Sequence, residues 1–224
     1  MKPTADDERA LRFFRAIAAG NATVPRTMLR AEPELATRAI RVGASRAAAR
    51  PFFLDEIGRY VYTGDTALHI AAGRYATDVA KRLVTLGADV TARNRRGATP
   101  LHAAAAGAPG SPAWRPRAQS AMVAYLIGAG ADANATDASG VTPLHVAVRT
   151  RCSAAVRALL EHGAAPNRRN GSGTTPLKLA HISTGRGGSG SDAAKREQRE
   201  IVRLLDAHGA NARPPHADPQ RKTR

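Results

Sequence analysis

The chain of 224 residues has a formal net charge of +16 and contains 48 alanines but only nine residues that are Phe, Tyr or Trp. So few aromatic residues argue against a β-sandwich or barrel, whereas alanine and leucine favour closely packed helices. The single cysteine, Cys152, excludes a disulfide framework and a zinc site of several cysteines. No apolar run approaches the roughly 18 residues of a membrane span. We expect a cytoplasmic protein of one domain, or one and a fraction.

Residues 1–63 predict a helical cap followed by an irregular linker. The acidic start of the chain lacks the apolar stretch of a secretory signal. Residues 7–36 read as a degenerate helix pair, broken at Gly20 and Asn21, which would cover the first hydrophobic face of the following units. In residues 37–63, ATRAIRVGASRAAAR is compatible with a helix or with a long loop, and PFFLDEIGRYVY is expected to pack on the first unit.

Two sequence motifs then recur along the chain in a constant order. GDTALHIAA begins at Gly64, and its counterparts begin at Gly97, Gly140 and Gly173, with spacings of 33, 43 and 33 residues. A second motif, GADV at Gly87, has a related copy after each of the other three segments. The period is therefore 33 residues, with extra residues inside the second and fourth units. The predicted units are 64–96, 97–139 with an insertion, 140–172, and 173–213 with an insertion.

Each unit predicts two short helices. Thr99 suits a helix N-cap, because its hydroxyl can accept a hydrogen bond from a free backbone amide, and Pro100 suits the first helical position. A second helix follows with one apolar stripe, and a glycine such as Gly130 ends it. The threonines at the cap position are Thr66, Thr99, Thr142 and Thr175.

The T-P-L-H-x-A signature and the 33-residue period resemble the ankyrin repeat. The resemblance covers about residues 64–213. It implies an all-α solenoid of stacked helix-turn-helix units with β-turn or hairpin tips. PFFLDEIGRYVYTGDTALH and the Gly-rich stretch of the fourth unit are also similar to an uncharacterised bacterial ankyrin subfamily, which implies no activity.

Three histidines recur at the same place, at His69, His102 and His145. Their regularity suggests a metal site, but no H-x-x-x-H or Cys-x-x-Cys pair accompanies them. In the resembled family this histidine hydrogen-bonds around the threonine cap and joins neighbouring repeats. We therefore predict no metal and no cofactor. Lys178 replaces the fourth histidine, so the last repeat should be joined less tightly.

The resemblance also implies a concave recognition surface made of tips and first helices. Arginine there would suit carboxylate or phosphate groups, which it can bind bidentately. The alternative is a solvated Arg-rich face that reflects composition alone, since 29 of the 34 basic residues are Arg. The predicted partner-binding positions are Arg74, Arg93, Arg95, Arg96, Ala138, Ser139, Arg149, Arg169, Gly171 and Ser172.

The insertion of the second unit contains the only tryptophan, Trp114, between prolines and arginines. An exposed Trp beside Arg has the chemistry of an interface hot spot. The alternative is that Trp114 folds back over the ends of its own helices.

Two further segments, residues 184–191 and 214–224, give only weak indications of a binding function. Residues 184–191 have the glycine spacing of a phosphate-binding loop, but Ser191 stands where that loop requires Lys, so a flexible insertion is expected. Residues 214–224 are expected to be a disordered basic tail.

The favoured function is a non-catalytic, monomeric protein-interaction module that binds an acidic partner. Nucleic-acid binding by the basic surface is the alternative, opposed by scarce aromatics, the lack of a known motif and charge spread along the chain. An enzyme with its site in residues 37–63 or in the insertions is the remote alternative, since no catalytic motif is present.

Overall fold

The computed structural model describes residues 3–21, 23–109, 111, 114–182 and 192–210. Within them, helices joined by turns form the bulk of the molecule, which confirms the predicted all-α class. The predictions for residues 184–191 and 214–224 lie outside the described residues, as does the end of the fourth unit. The helices and strands are α1 (Ala5–Ala18), α2 (Thr23–Ala31), β1 (Phe53–Leu54), β2 (Arg59–Tyr60), α3 (Ala67–Arg74), α4 (Thr77–Thr85), α5 (Pro100–Ala105), α6 (Pro116–Gly128), α7 (Pro143–Arg149), α8 (Ser153–Glu161), α9 (Pro176–His181) and α10 (Asp192–Ala207).

The N-terminal helix pair covers the start of the array. Thr4 and Asp7 form a capping box at the beginning of α1, in which each residue satisfies a backbone amide of the other. The buried rings of Phe13 and Phe14 lie in the hydrophobic core, and α1 packs on α3. Asp7 also accepts a hydrogen bond from the Arg41 amide (2.7 Å), so the cap is joined to the linker that follows.

The linker contains the small antiparallel sheet. Phe53 pairs with Tyr60 and Leu54 with Arg59 across β1 and β2. The linker is therefore structured although its sequence has no helical or strand periodicity. Buried side chains, Leu54 among them, hold it in the core that it shares with the first unit. Three short 3-10 helices, Pro33–Ala36, Arg50–Phe52 and Asp55–Ile57, complete residues 33–60.

The repeats stack as two rows of helices. First helices pack in the order α1, α3, α5, α7 and α9, and second helices in the order α4, α6, α8 and α10. Alanine makes the close approach possible: Ala71, Ala72, Ala104 and Ala105 are all fully buried in the first row. Their small side chains let neighbouring backbones come close without leaving cavities.

A buried histidine joins the first repeat to the second. The Thr66 amide donates to His69 Nδ1 (3.2 Å), and His69 Nε2 lies 3.1 Å from the carbonyl oxygen of Ala98 in the next repeat. Because an amide can only donate, Nδ1 is unprotonated and Nε2 carries the hydrogen. One neutral imidazole therefore caps its own helix and bonds across the repeat boundary.

The same bridge recurs in the next two repeats. His102 Nε2 contacts the Val141 carbonyl at 2.9 Å, and His145 Nε2 contacts the Thr174 carbonyl at 3.0 Å. Lys178, at the fourth position, is exposed. Its amide donates to the Thr175 hydroxyl, which caps α9.

Burial lowers the pKa values of the bridging histidines. The pKa of His69 falls to about 4, chiefly because a charged imidazole would lose its hydration in the core, while nearby Asp65 partly opposes this effect. Burial also lowers the pKa values of His102 and His145. The bridges therefore consist of neutral rings at physiological pH.

Tip geometry explains one recurrent glycine. Gly97 has φ of +71°, and a Cβ there would lie 2.7 Å from the Ala138 amide nitrogen of the next tip. Glycine alone satisfies both the left-handed backbone and the close contact between tips.

We expect stability to fall as the pH decreases from about 6.5 to 4. Below pH 6.5 the unfolded chain binds a proton at His69, whereas the folded chain does not bind it until about pH 4. Since each pKa unit corresponds to about 1.4 kcal/mol, the loss from His69 alone should approach about 3 kcal/mol at pH 4. Urea unfolding between pH 7 and 5, where most carboxylates stay ionised, measures this slope.

His69→Gln provides the comparison for that slope. The variant should be less stable at pH 7, because its amide cannot reproduce both ring contacts, and its stability should depend less on pH. Equal slopes for the variant and the wild type would contradict the assignment of the acid sensitivity to His69.

Candidate functional site

A groove of about 690 Å³ lies on the face formed by the C-terminal ends of the first helices. Ala103, Ala106 and Gly107 belong to its lining, around the end of α5. This helix has six residues, against eight in α3 and seven in α7. Arg74 and Arg149 therefore flank the recess at the ends of the neighbouring helices, and we call this recess the α5 groove.

Trp114 forms a wall of the α5 groove and is held by Gln119. The indole Nε1 donates to Gln119 Oε1 (2.9 Å), and the fully buried Gln119 amide donates to the carbonyls of Ala104, Ala105 and Ala106 at 3.1, 3.3 and 3.2 Å. These carbonyls lie at the end of α5, where a helix leaves such groups without a partner. Trp114 thus folds back over its own helices, and it also lines the groove.

The insertion is also bonded to the end of the first repeat. The Arg115 guanidinium donates to the Arg74 carbonyl (2.9 Å), and the buried Tyr75 hydroxyl donates to the Ala106 carbonyl (2.5 Å). Burial raises the pKa of Tyr75, so its hydroxyl remains a donor at neutral pH. The groove wall is therefore fixed on two sides.

Cys152 lies beneath this wall. A Cβ at Gly107 would approach its Sγ to 2.6 Å and would lie 3.0 Å from polar atoms of Trp114 and Tyr75, so only glycine leaves enough room. Burial raises the pKa of Cys152 to about 11. The side chain is thus a buried thiol at neutral pH, which makes it a poor nucleophile.

A buried carboxylate, Asp65, connects the linker to the first tip, the turn of residues 93–96 between the first and second repeats. It accepts hydrogen bonds from the Arg59 guanidinium (3.0 Å), the Tyr62 amide (2.8 Å) and the Asn94 side-chain amide (2.9 Å). Its carboxylate is fully buried, and such a charge requires this many partners. Arg59, Tyr62 and Asn94 all line the α5 groove, so Asp65 fixes that part of its lining.

Backbone hydrogen bonds connect the tips of successive repeats. They form a ladder that holds each tip against the next, which makes the row of tips a rigid edge. The bonds run from Arg95 N to Thr63 O (2.7 Å), from Ala138 N to Arg96 O (2.9 Å) and from Gly171 N to Ser139 O (2.8 Å).

Two predicted tip arginines bond to backbone carbonyls. Arg93 Nη1 donates to the carbonyls of Gly97 (3.0 Å) and Thr136 (2.6 Å), and so joins the first tip to the second. Arg169 Nη1 donates to the Gly173 carbonyl at 2.8 Å within its own tip. Both side chains are exposed, yet both already stabilise the tips.

The other two arginines of the first tip lie against Tyr62. The guanidinium carbons of Arg95 and Arg96 are 5.1 and 5.3 Å from the centre of its ring, within the range of a cation–π contact. Arg96 Nη1 also donates to the Tyr62 hydroxyl at 3.2 Å. The linker therefore orients both arginines.

The predicted residues fall into three sets. Four line the α5 groove: Arg74, Arg96, Trp114 and Arg149. The others of the predicted partner-binding set are exposed on the tips: Arg93, Arg95, Ala138, Ser139, Arg169, Gly171 and Ser172. The repeat-motif residues lie inside the array, where all are buried except the half-buried Thr175: Thr66, His69, Thr99, His102, Thr142, His145 and Thr175.

Sequence reasoning missed Arg59, Tyr62 and Asp65. One signal was available for Asp65, because an acid stands there while the equivalent positions of the other repeats hold Ala98, Val141 and Thr174. Tyr62 and Arg59 belong to the linker, which has no repeat pattern, so only the folded chain brings them to the first tip.

The α5 groove has an excess of unneutralised positive charge. In the described part of the chain, no carboxylate lies within 4.0 Å of the guanidinium groups of Arg74, Arg95, Arg96 or Arg149. The acids of the lining are Asp55, which pairs with Arg50, Asp137, which accepts backbone amides of its own tip, and Glu56.

The described residues contain neither a metal-binding cluster nor a membrane-spanning helix. Their His, Cys, Asp and Glu side chains form no group of three or more that could hold a metal ion. Their helices include none with the length and apolarity needed to cross a membrane.

Family models identify the repeats. A model described as ankyrin repeats (3 copies) matches residues 30–111, a single ankyrin-repeat model matches 96–138, and one described as ankyrin repeats (many copies) matches 126–180. Together the matches run without a gap from residue 30 to residue 180.

Curated relatives share short segments with this chain. The neurogenic locus Notch protein of Drosophila melanogaster is 52% identical over 44 residues, which are 20% of this chain and 2% of that protein. Protein phosphatase 1 regulatory subunit 12A of Mus musculus is 49% identical over 47 residues, which are 21% of this chain and 5% of that protein. The matches therefore span only a small part of the relatives' length.

We expect Gln119→Leu to destabilise the protein by about 2–3 kcal/mol, because the carbonyls of Ala104 and Ala105 and the Trp114 N–H lose this partner. Gln198→Leu is the matched control, since Gln198 donates to one carbonyl only, that of Ala180 at 2.7 Å. It should cost about 1 kcal/mol. Urea unfolding followed by the fluorescence of the single Trp measures both variants. Equal losses would contradict the role assigned to Gln119.

Proposed function

We propose that this chain, which belongs to the ankyrin-repeat family, binds another protein in the α5 groove and catalyses no reaction. Stacked repeats present an extended concave surface, and such surfaces serve recognition. One of the relatives has a name that suits this role, since it is a regulatory subunit of a phosphatase. The regulatory role belongs to that protein, and here it supports only the class of function.

The observation that carries the proposal is the pre-formed groove. Its wall is fixed by Trp114 and Gln119, part of its lining is fixed by Asp65, and its floor of small side chains leaves room for a partner's side chain. A partner therefore meets a surface that is already ordered, which reduces the entropy lost on binding. The face of Trp114 in the groove suits an apolar anchor.

The partner segment is proposed to be acidic. Arg96 and Arg149 line the groove without a carboxylate of their own, so a partner's acid can pair with them without displacing an internal ion pair. Electrostatic complementarity of this kind raises association rates and selects partners. The exposed tip residues Ala138, Ser139 and Ser172 would contact the same partner at its edge.

The binding unit proposed here acts as a monomer and includes the cap and linker, residues 1–63, as well as the repeats, 64–213. The linker belongs to it because Arg59, Tyr60 and Tyr62 contribute to the α5 groove. A fragment that begins at the first repeat would therefore lack part of the binding surface.

We expect Arg96→Glu combined with Arg149→Glu to reduce partner capture at least about tenfold, because two favourable charge pairs become repulsive. Affinity capture with mass spectrometry at physiological salt, using wild type and variant, measures this change. Arg93 is left unchanged, since its guanidinium joins two tips.

Lys81→Glu combined with Arg82→Glu is the matched control. Both residues are exposed on α4, outside the groove lining, and the change in net charge is the same. This control should retain the proteins that wild type captures. If the groove variant and the control lost the same proteins equally, binding would follow net charge rather than the α5 groove.

A further inference from the structure

Two hydrogen-bond donors meet at one point on the rim of the α5 groove. Arg96 Nη1 donates to the Tyr62 oxygen at 3.2 Å, which leaves the phenolic O–H to donate elsewhere. Among the described residues, the structure places no acceptor within hydrogen-bond distance of that O–H. A ligand oxygen placed there could accept from the hydroxyl and from the remaining N–H groups of the guanidinium.

The backbone amide and the backbone carbonyl of Arg96 both form hydrogen bonds. Its amide donates to Asn94 Oδ1 (2.9 Å), and its carbonyl accepts from the Ala138 amide (2.9 Å). The preceding residue, Arg95, donates its amide to the Thr63 carbonyl (2.7 Å). The first tip is therefore held by hydrogen bonds to the linker and to the next tip.

Tyr62 is held by the same buried carboxylate as the tip. Asp65 accepts from the Tyr62 amide through one oxygen and from Asn94 through the other. Since Asn94 in turn positions Arg96, a single buried group sets the Tyr62 backbone relative to the tip. A linker residue and a repeat residue thus form one prearranged donor pair.

Positive charge is concentrated at this pair. The guanidinium carbons of Arg95 and Arg96 both lie within 5.3 Å of the Tyr62 ring centre, and no described carboxylate lies within 4.0 Å of either guanidinium. An anion at the Tyr62 hydroxyl would lie well within a Debye length of both charges. The site is thus suited to a group that carries more than one negative charge.

We propose that Tyr62, Arg95 and Arg96, which we call the Tyr62 clamp, bind a phosphorylated side chain of the protein partner. The inference rests on the proposed function, because it places that side chain on the partner in the α5 groove. A phosphomonoester carries about −1.5 to −2 charges and three acceptor oxygens, so it matches two guanidiniums and a hydroxyl. A carboxylate has one charge and two oxygens, and a phosphodiester also has one charge. Neither group therefore offers enough charge to match both guanidiniums of the clamp.

The test is a titration of the full chain with defined probes, followed by NMR of the arginine Nε–Hε groups. The probes are a nine-residue Gly/Ala peptide with a central phosphoserine, the same peptide with Glu or Ser at the centre, and a twelve-residue oligothymidine. The phosphopeptide should shift the Arg95 and Arg96 signals and bind at least about fivefold more tightly than the Glu peptide, since phosphate offers more charge and more acceptors.

Three variants locate the site. Tyr62→Phe keeps the ring that supports both arginines but removes the hydroxyl, and it should weaken phosphopeptide binding about tenfold, the size expected for a hydrogen bond to a charged group. Tyr125→Phe and Arg168→Ala are controls, a tyrosine of α6 outside the groove lining and an exposed arginine next to another tip. Both controls should bind the phosphopeptide as tightly as wild type does.

Several outcomes would overturn the proposal. Equal affinity for the Glu peptide would show a general acidic site, and tighter binding of oligothymidine would show a nucleic-acid site. Equal weakening by Tyr125→Phe or Arg168→Ala would show that the phosphopeptide binds outside the clamp. The proposed function is tested by protein capture and the clamp by phosphopeptide affinity, so a failure of one proposal is distinguishable from a failure of the other.

Discussion

The fold depends on a neutral imidazole that serves two repeats at once. In each of the first three repeats a histidine accepts the amide of its own helix cap through Nδ1 and bonds the next repeat's backbone through Nε2. A charged ring could not accept the cap amide, so burial and hydrogen bonding both select the neutral form. These bridges, together with the packing of buried alanines, hold the first helices of neighbouring repeats at a close spacing.

The α5 groove arises where the repeat is interrupted. The chain leaves the helical path after Ala105, and the resulting gap between α3 and α7 becomes the recess. Gln119 supplies the hydrogen bonds that a longer α5 would have made within its own helix, and Trp114 covers Gln119. The insertion therefore both compensates for the short helix and shapes the groove.

Arginines with the same sequence signal have different roles in the folded chain. Arg93 and Arg169 bond to tip carbonyls, Arg59 bonds to the buried Asp65, and Arg95 and Arg96 lie on Tyr62. The arginines of the tips and the linker thus separate into internal connections and a smaller group that remains available at the groove rim. Composition could not distinguish these roles, because the groups that the arginines contact include backbone carbonyls and an aromatic ring as well as an acid.

The sequence by itself determined the all-α repeat architecture, because capping, small-residue packing and turn chemistry are local and recur every 33 residues. It also located the groove residues Arg74, Trp114 and Arg149, but it left open whether Trp114 is exposed or folded back. Only the tertiary structure decided that Trp114 bonds to Gln119, that the linker is ordered, and that Asp65 joins Tyr62 to the first tip. These contacts link residues that no periodic pattern relates, since they depend on how a non-repeating segment packs against a repeating one.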